Sequence, residues 1–151
     1  MPDTDIRLLD EQDRAALVNH LFGLDAEERA SRFMGRSSSE MAGRYASKLD
    51  FAVTSVIGCF EADHLIGAAE LHPNGQGGAE FAVAVDPDRR GHGLGSLLTD
   101  AAVELAAHAG LAEVTLHCLP TNCRLVAILS RRGIRILHDE SGPFARIALA
   151  A

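Results

Sequence analysis

Three glycines at alternate positions, Gly91, Gly93 and Gly95, lie between an apolar segment and an amphipathic one, and this arrangement constrains the fold more than any other feature of the chain. Residues 79–85 are almost continuously apolar, which predicts a strand buried on both faces. Residues 93–109 repeat their leucines and alanines at helical spacing, which predicts a long helix with one apolar face. We therefore expect a strand, a glycine-rich turn and a helix in direct succession.

The rest of the chain predicts short strands and helices of a single α/β domain that covers residues 1–151. Before the glycine turn, periodicity and capping residues predict a strand over 5–9, helices over 11–22, 25–34 and 38–48, and strands over 52–60 and 65–71. After the long helix they predict a strand over 114–119, a helix over 122–132 and closing strands over 134–138 and 144–149. No linker, internal repeat or low-complexity segment divides the chain, and its length suits one domain.

Composition argues against several classes of function. The formal net charge of -7 is the opposite of the basic surface that a nucleic-acid-binding protein needs, although it is compatible with basic substrates. No stretch is apolar enough to span a membrane, and the acidic amino terminus does not resemble a signal peptide, so we expect a cytoplasmic protein without membrane partners. The three cysteines include no Cys-x-x-Cys pair, which predicts reduced thiols and no metal site.

The glycine turn has the properties of a phosphate-binding site. Glycines let a ligand approach the backbone where a β-carbon would clash, and the first turn of a helix offers unpaired N–H groups at the positive end of its dipole. Spacing excludes two familiar motifs, because the turn lacks the lysine of a P-loop and Ser96 stands where a dinucleotide fingerprint needs its last glycine. The alternative is a tight turn whose glycines serve the backbone geometry alone.

The run VDPDRRGHGLGSLL at residues 85–98 resembles the acyl-CoA signature of the GNAT superfamily of N-acetyltransferases. That signature reads Arg/Gln-x-x-Gly-x-Gly/Ala after a strand and a short acidic turn, and Arg90, Gly93 and Gly95 occupy its defined positions. The resemblance extends over nearly the whole chain. It implies the GNAT fold, with a central mixed, mostly antiparallel sheet of about seven strands flanked by about four helices. It also implies acetyl-CoA as the co-substrate and no metal cofactor.

The same resemblance implies which residues contact the co-substrate. Backbone N–H groups of the turn would hold the CoA pyrophosphate, and the residues concerned are Arg90, Gly91, His92, Gly93, Leu94, Gly95 and Ser96. Val83 and Val85 would offer main-chain hydrogen bonds to the pantetheine arm. Asn122 stands where GNAT proteins often contact that arm, although it could equally cap the following helix, or do both.

A narrower resemblance links the segments 79–83 and 31–33 to the catalytic domain of bacterial protein lysine acetyltransferases. Glu80 is central to it, because GNAT enzymes often place their general base at this position. A carboxylate in an apolar strand also needs a partner or a raised pKa, and burial would move its pKa toward the range of a useful base. The alternative for Glu80 is a solvated side chain at the end of its strand.

The resemblance implies direct transfer in a ternary complex. Glu80 would take a proton from an ammonium group, directly or through water, and a backbone N–H near Val85 would stabilise the oxyanion. Many GNAT enzymes protonate the departing thiolate with a tyrosine, but Leu129 occupies that position here and the only tyrosine is Tyr45. Ser130, His117 and Cys118 are substitutes among which the sequence does not choose. The alternative is that no dedicated acid is needed, because a thiolate is a tolerable leaving group near neutral pH.

Three functions stay open at this point. The first is acetyl transfer to a protein lysine or another primary amine. The second is acetyl transfer to a small-molecule amine, and the third is a non-catalytic module that binds or senses acyl-CoA. Family resemblance also favours a homodimer.

Overall fold

The computed structural model of the protein describes residues 4–35, 37–117, 123–140 and 142–149, and these contain seven strands and five α-helices. The strands are β1 (Thr4–Leu8), β2 (Ser55–Glu61), β3 (His64–Pro73), β4 (Gly78–Val85), β5 (Glu113–His117), β6 (Ile136–Asp139) and β7 (Gly142–Ala148). The helices are α1 (Arg14–Phe22), α2 (Ala26–Phe33), α3 (Ser39–Lys48), α4 (Leu94–His108) and α5 (Cys123–Arg131). Short 3-10 helices at Glu11–Asp13 and Pro87–Arg89 precede α1 and α4.

All seven strands form one sheet in the order β1-β2-β3-β4-β5-β7-β6. Neighbouring strands run antiparallel except β4 and β5, which run parallel. This confirms the mixed, mostly antiparallel sheet that the sequence predicted. The described residues hold five α-helices, one for each helical segment that the sequence predicted, where the family resemblance implied about four. None of the helices in the described ranges is long and apolar enough to cross a membrane.

The parallel pair β4 and β5 separates early. Pairing joins Gly78–Glu80 only to Glu113–Thr115, although β4 continues as far as Val85. The second half of β4 therefore has β3 on one side and an opening on the side of β5.

The backbone groups of Val83 and Val85 point into this opening. The Asp86 N–H donates to the Ile66 carbonyl oxygen at 2.8 Å, which shows which residues of the β4 segment face β3. Because the direction of the N–H and C=O groups alternates along an antiparallel strand, those of Val83 and Val85 point away from β3.

Two apolar cores lie on opposite faces of the sheet. On one face α4, through Leu94, Leu98 and Ala102, and α5, through Leu129, pack against strand residues that include Phe81 and Val114. On the other face α1 and α3 pack through residues that include Leu17, Leu21, Ala46, Val56 and Ala68. The alternation of strand side chains assigns Glu70, His72, Glu80 and Ala82 to this second face.

Two predicted features differ from the structure, and a third lies outside the described residues. β2 begins at Ser55 instead of residue 52, because Asp50 holds a turn in which its side chain accepts from the Ala52 N–H and its carbonyl from the Thr54 N–H. β4 is not buried on both faces: the Glu80 side chain is exposed, although Glu80 pairs with His72 of β3 and with Thr115 of β5. The predicted helix start at Asn122 lies outside the described residues, and α5 is described from Cys123 onward.

Truncating Leu98 to alanine should destabilise the fold strongly. Leu98 is fully buried between α4 and the sheet, so Leu98→Ala should leave a cavity and lower the free energy of unfolding by about 3 kcal/mol. The adjacent Leu97 is 43% exposed, and Leu97→Ala serves as the matched control with an expected loss below about 1 kcal/mol. Urea unfolding of both variants measures the difference, and equal losses would contradict this placement of the core.

Candidate active site

The glycine turn joins the open edge of β4 to the start of α4. Gly91 and Gly93 both have φ +80°, a conformation that residues with a β-carbon rarely adopt. Gly93 is the N-cap of α4 and supplies no side-chain hydrogen bond. The first N–H groups of α4 are therefore open to an anion, as the sequence analysis predicted for a phosphate site.

A cavity of about 420 Å³ lies in front of this turn. We call it the glycine-turn cavity, and it is lined from β4, the turn and α5 by residues that include Val83, Val85, Arg90, Gly91, Gly93, Leu94, Gly95, Ser96, Leu125 and Ile128. The structure thus brings together all but two of the residues predicted to contact CoA. The His92 side chain lines a separate hollow with Glu61 and Arg89, and Asn122 lies outside the described residues.

Two acidic residues at the start of α2, the N-cap Asp25 and Glu28, contact polar groups at the edge of this cavity. The Arg90 guanidinium lies 2.8 Å from a carboxylate oxygen of Asp25 and 3.4 Å from one of Glu28. The hydrogen bond to Asp25 raises the pKa of Arg90. The Val85 N–H, predicted to face the co-substrate, donates to Glu28 Oε1 at 3.3 Å. In this structure the Arg90 side chain and the Val85 N–H are therefore both held by α2.

A second cavity, of about 380 Å³, contains Glu80. We call it the Glu80 cavity. Its polar lining comes from four elements and consists of Ser31, Arg32, His72, Glu80 and His117, while its apolar lining includes Met34, Phe81, Leu116 and Leu125. His72 lies directly opposite Glu80 in the pairing of β3 with β4, so both side chains belong to one face of the sheet. Glu80 is exposed, and the burial that the sequence argument assumed for it is absent.

The two cavities meet where β4 and β5 separate. Val83 and Leu125 line both of them. A group that extends from the glycine turn along β4 reaches the Glu80 cavity at this junction. The opening in the sheet therefore connects a site suited to an anion with a site that presents a carboxylate.

Sequence reasoning missed a buried ionic cluster under the Glu80 cavity. Glu70 of β3 is 1% exposed, forms an ion pair with Arg32 of α2, and accepts a hydrogen bond of 2.5 Å from the Tyr45 hydroxyl of α3. His72 Nε2 lies 3.1 Å from the same carboxylate, and His72 Nδ1 lies 3.2 Å from the Thr54 hydroxyl. A carboxylate within the apolar segment 65–71 was the available signal, the same one that drew attention to Glu80.

This cluster keeps Glu70 ionised. Burial alone would raise the pKa of Glu70, but the charge of Arg32 and hydrogen bonds from His72, Arg32 and Tyr45 together lower it to about 2. Burial, and then the neighbouring Glu70 charge, raise the pKa of Tyr45, which is therefore a neutral phenol that donates its proton. Since the Glu70 carboxylate can only accept, His72 Nε2 carries a proton and donates it.

Among the described residues, no group of three or more His, Cys, Asp or Glu side chains is arranged to hold a metal ion. Cys59 is buried in the core, and Cys118 lies outside the described ranges.

Residues 20–134 match the family model of the acetyltransferase (GNAT) family. The chain belongs to this family, which is the class of acetyl-CoA-dependent N-acetyltransferases that the sequence analysis predicted. It is 32% identical over 81 residues to the mycothiol acetyltransferase of Geodermatophilus obscurus, a match that covers 49% of this chain and 26% of that protein. This chain thus spans about a quarter of the length of that relative.

Solved structures show the same fold. The GNAT domain of S. lividans PAT superposes with a TM-score of 0.81 at 19% identity, covering 97% of this chain and 90% of that one. PaiA N-acetyltransferase from Thermoplasma acidophilum, solved in complex with coenzyme A, superposes with a TM-score of 0.73 at 19% identity, covering 97% of this chain and 99% of that one. The homodimer and the cytoplasmic location stay predictions from the sequence.

Removing the charge of Glu70 should change how stability depends on pH. Its pKa is lower in the folded chain than the ordinary value of 4.5, so its contribution is complete above about pH 4.5 and is lost as the pH falls toward about 2. Glu70→Gln should lower the free energy of unfolding by about 3 kcal/mol at neutral pH and flatten the decline below pH 4.5.

Denaturant titrations at a series of pH values test this expectation. Glu104, on the exposed side of α4 with a side chain 76% exposed, provides the control Glu104→Gln, which should keep the wild-type acid dependence. An unchanged pH profile in Glu70→Gln would show that Glu70 does not stabilise the fold as an ionised group.

Proposed function

We propose that this chain transfers an acetyl group from acetyl-CoA to a primary amine on an alkyl chain, by direct transfer in a ternary complex, with a protein lysine as the leading acceptor. The junction of the two cavities at Val83 and Leu125 carries the proposal. Donor and acceptor can approach that junction from opposite sides, which direct transfer requires.

The glycine-turn cavity is the proposed site of acetyl-CoA. Open N–H groups at the start of α4 suit the pyrophosphate, and the outward-facing backbone of Val83 and Val85 suits the amide groups of the pantetheine arm. Glu28 must leave the Val85 N–H when the arm binds. The coenzyme A complex of the Thermoplasma acidophilum relative, which has the same fold, is consistent with this assignment.

Glu80 is the proposed general base. It is exposed in the second cavity, so it can take a proton from the ammonium group of an acceptor directly or through a water molecule. The free amine then attacks the thioester carbonyl. Because Val83 lines both cavities and Val85 lines only the glycine-turn cavity, we assign the oxyanion contact to the Val83 N–H.

The charges of the Glu80 cavity favour an amine without a neighbouring carboxylate. Glu80 attracts a cation, whereas Arg32, the one arginine or lysine among the described lining residues, is bound to Glu70 and Tyr45. A free α-amino acid would bring its own carboxylate into this cavity, where no unpaired arginine or lysine among the described lining residues receives it. The apolar walls at Met34, Leu116 and Leu125 suit an alkyl chain, and a lysine side chain has both properties.

A small-molecule acceptor is the second candidate. The Geodermatophilus obscurus relative is named a mycothiol acetyltransferase, which favours acetylation of a small molecule. A non-catalytic acyl-CoA-binding module is the third. Leu129 in place of the usual tyrosine favours that module, and the exposed carboxylate in the Glu80 cavity opposes it.

Replacing Glu80 with glutamine should abolish most of the turnover without loss of acetyl-CoA binding. Thiol release from acetyl-CoA is measured with alkyl diamines, lysine-containing peptides and free amino acids as acceptors. We expect release with the first two classes, and a fall in kcat of about a hundredfold in Glu80→Gln because a general base is removed. Glu104→Gln, outside both cavities, should retain the wild-type rate.

Calorimetric binding of acetyl-CoA separates the candidates. If the protein binds acetyl-CoA but releases no thiol with any acceptor, the non-catalytic binding module becomes the better assignment. Equal rates in wild type and Glu80→Gln would exclude Glu80 as the base. Faster release with free amino acids than with lysine peptides would contradict the acceptor class.

Alanine at Gly93 should weaken acetyl-CoA binding by distorting the turn. Gly93 and Gly110 have almost the same backbone angle, φ +80° and φ +78°, and neither has a neighbour within 4 Å of an added β-carbon. Gly93→Ala and Gly110→Ala should therefore each cost about 1 kcal/mol of stability. Only Gly93→Ala should raise the Kd for acetyl-CoA, by about tenfold for each hydrogen bond lost. Equal Kd values in both variants would place acetyl-CoA elsewhere.

A further inference from the structure

The proposed transfer does not yet assign a source for one proton. The CoA sulfur takes up this proton when it leaves the acetyl group and becomes a thiol. Leu129, at the position of the usual tyrosine, is a fully buried aliphatic residue of α5. Of the three substitutes, Ser130 is exposed near the end of α5 and lines neither cavity, and Cys118 lies outside the described residues. His117 is the remaining one, and it lines the Glu80 cavity.

The register of β4 and β5 places His117 near the junction of the cavities. Thr115 pairs with Glu80, and the two strands run parallel. His117 follows two residues later, so its position along the strand is level with Ala82, next to Val83. At a rise of about 3.3 Å per residue, His117 lies about 7 Å farther toward the junction than Glu80 does. The same alternation puts its side chain on the face that carries Glu80.

The surroundings of the two cavity histidines differ. Both ring nitrogens of His72 have protein partners in the Glu70 cluster, so that ring is fixed by the fold. Within the described part of the chain, the His117 ring has only an aromatic contact, with Phe144 at 6.2 Å between ring centroids, and no hydrogen bond. Its nitrogens are thus available to a group that enters the cavity.

We propose that His117 is a second catalytic residue, the acid that protonates the CoA thiolate, paired with Glu80 as the base. This inference rests on the proposed function. The ammonium acceptor gives its first proton to Glu80, and the amine nitrogen then forms a bond to the thioester carbon. When the tetrahedral intermediate collapses, the carbon–sulfur bond breaks and the sulfur takes a proton from the His117 imidazolium.

Both catalytic residues return to their starting protonation states at the end of the reaction. The nitrogen loses its second proton as the amide forms, and that proton restores the imidazolium through solvent. The proton on Glu80 is released to solvent. The products are the acetylated amine, CoA with a free thiol and one proton, so no further reactant is needed.

The dependence of kcat on pH tests this assignment. A general acid acts only while it is protonated, so the wild-type kcat should fall as the pH rises past the range in which an imidazolium loses its proton. The kcat with a lysine-containing peptide is followed against pH for wild type, His117→Gln and His117→Asn. His108→Gln is the control, because His108 is 79% exposed on α4 and outside both cavities.

We expect both His117 variants to have a lower kcat at neutral pH and to lose the fall at high pH, with His108→Gln unchanged. Calorimetry confirms that CoA is bound in each protein. Identical pH profiles in wild type and in both His117 variants, with CoA bound, would overturn the assignment of His117 and leave the proposed function standing. Absence of turnover in wild type would overturn both.

Discussion

The active-site architecture depends on the early separation of β4 from β5. Three residues of each strand pair before they part, and the backbone groups of Val83 and Val85 then have no strand to bond. Unpaired backbone groups need other partners, which a pantetheine arm could supply. The same opening creates the junction of the two cavities, and the glycine turn at the end of β4 directs the start of α4 toward it. A sheet paired along its whole length would have neither feature.

Helix α2 forms a wall of both cavities and is held largely by charge. Among its residues only Glu28 is buried, whereas α1 and α4 each bury several apolar side chains. Near its first turn, Asp25 and Glu28 contact Arg90, and in its last turn Arg32 contacts the buried Glu70. Removing one member of a buried ion pair leaves an uncompensated charge, which is why the Glu70 cluster matters more than the surface ion pairs. The contacts of α2 thereby connect the glycine turn with the buried cluster under the Glu80 cavity.

Local sequence was sufficient for the glycine turn, for α4 and for the approximate position of every strand. These features follow from φ values that only glycine accepts readily, from helical spacing of leucines and from runs of apolar residues, none of which needs a distant partner. Observed boundaries differ from the predicted ones where a local polar contact forms a turn. Asp50 holds such a turn, and β2 therefore begins at Ser55. Glu80 was also found from sequence, but for a reason that the structure corrects: its side chain is exposed on one face of β4, where the sequence argument assumed burial.

The sequence by itself determined the glycine turn and the family resemblance, because both reside in one continuous run of residues. Only the tertiary structure decided which side chains share a cavity. Arg32, Tyr45 and Glu70 come from three separate elements, and His117 is brought level with Ala82 by strand pairing between distant segments. Pairing register and helix docking set these contacts, and both are properties of the assembled sheet that no local pattern encodes.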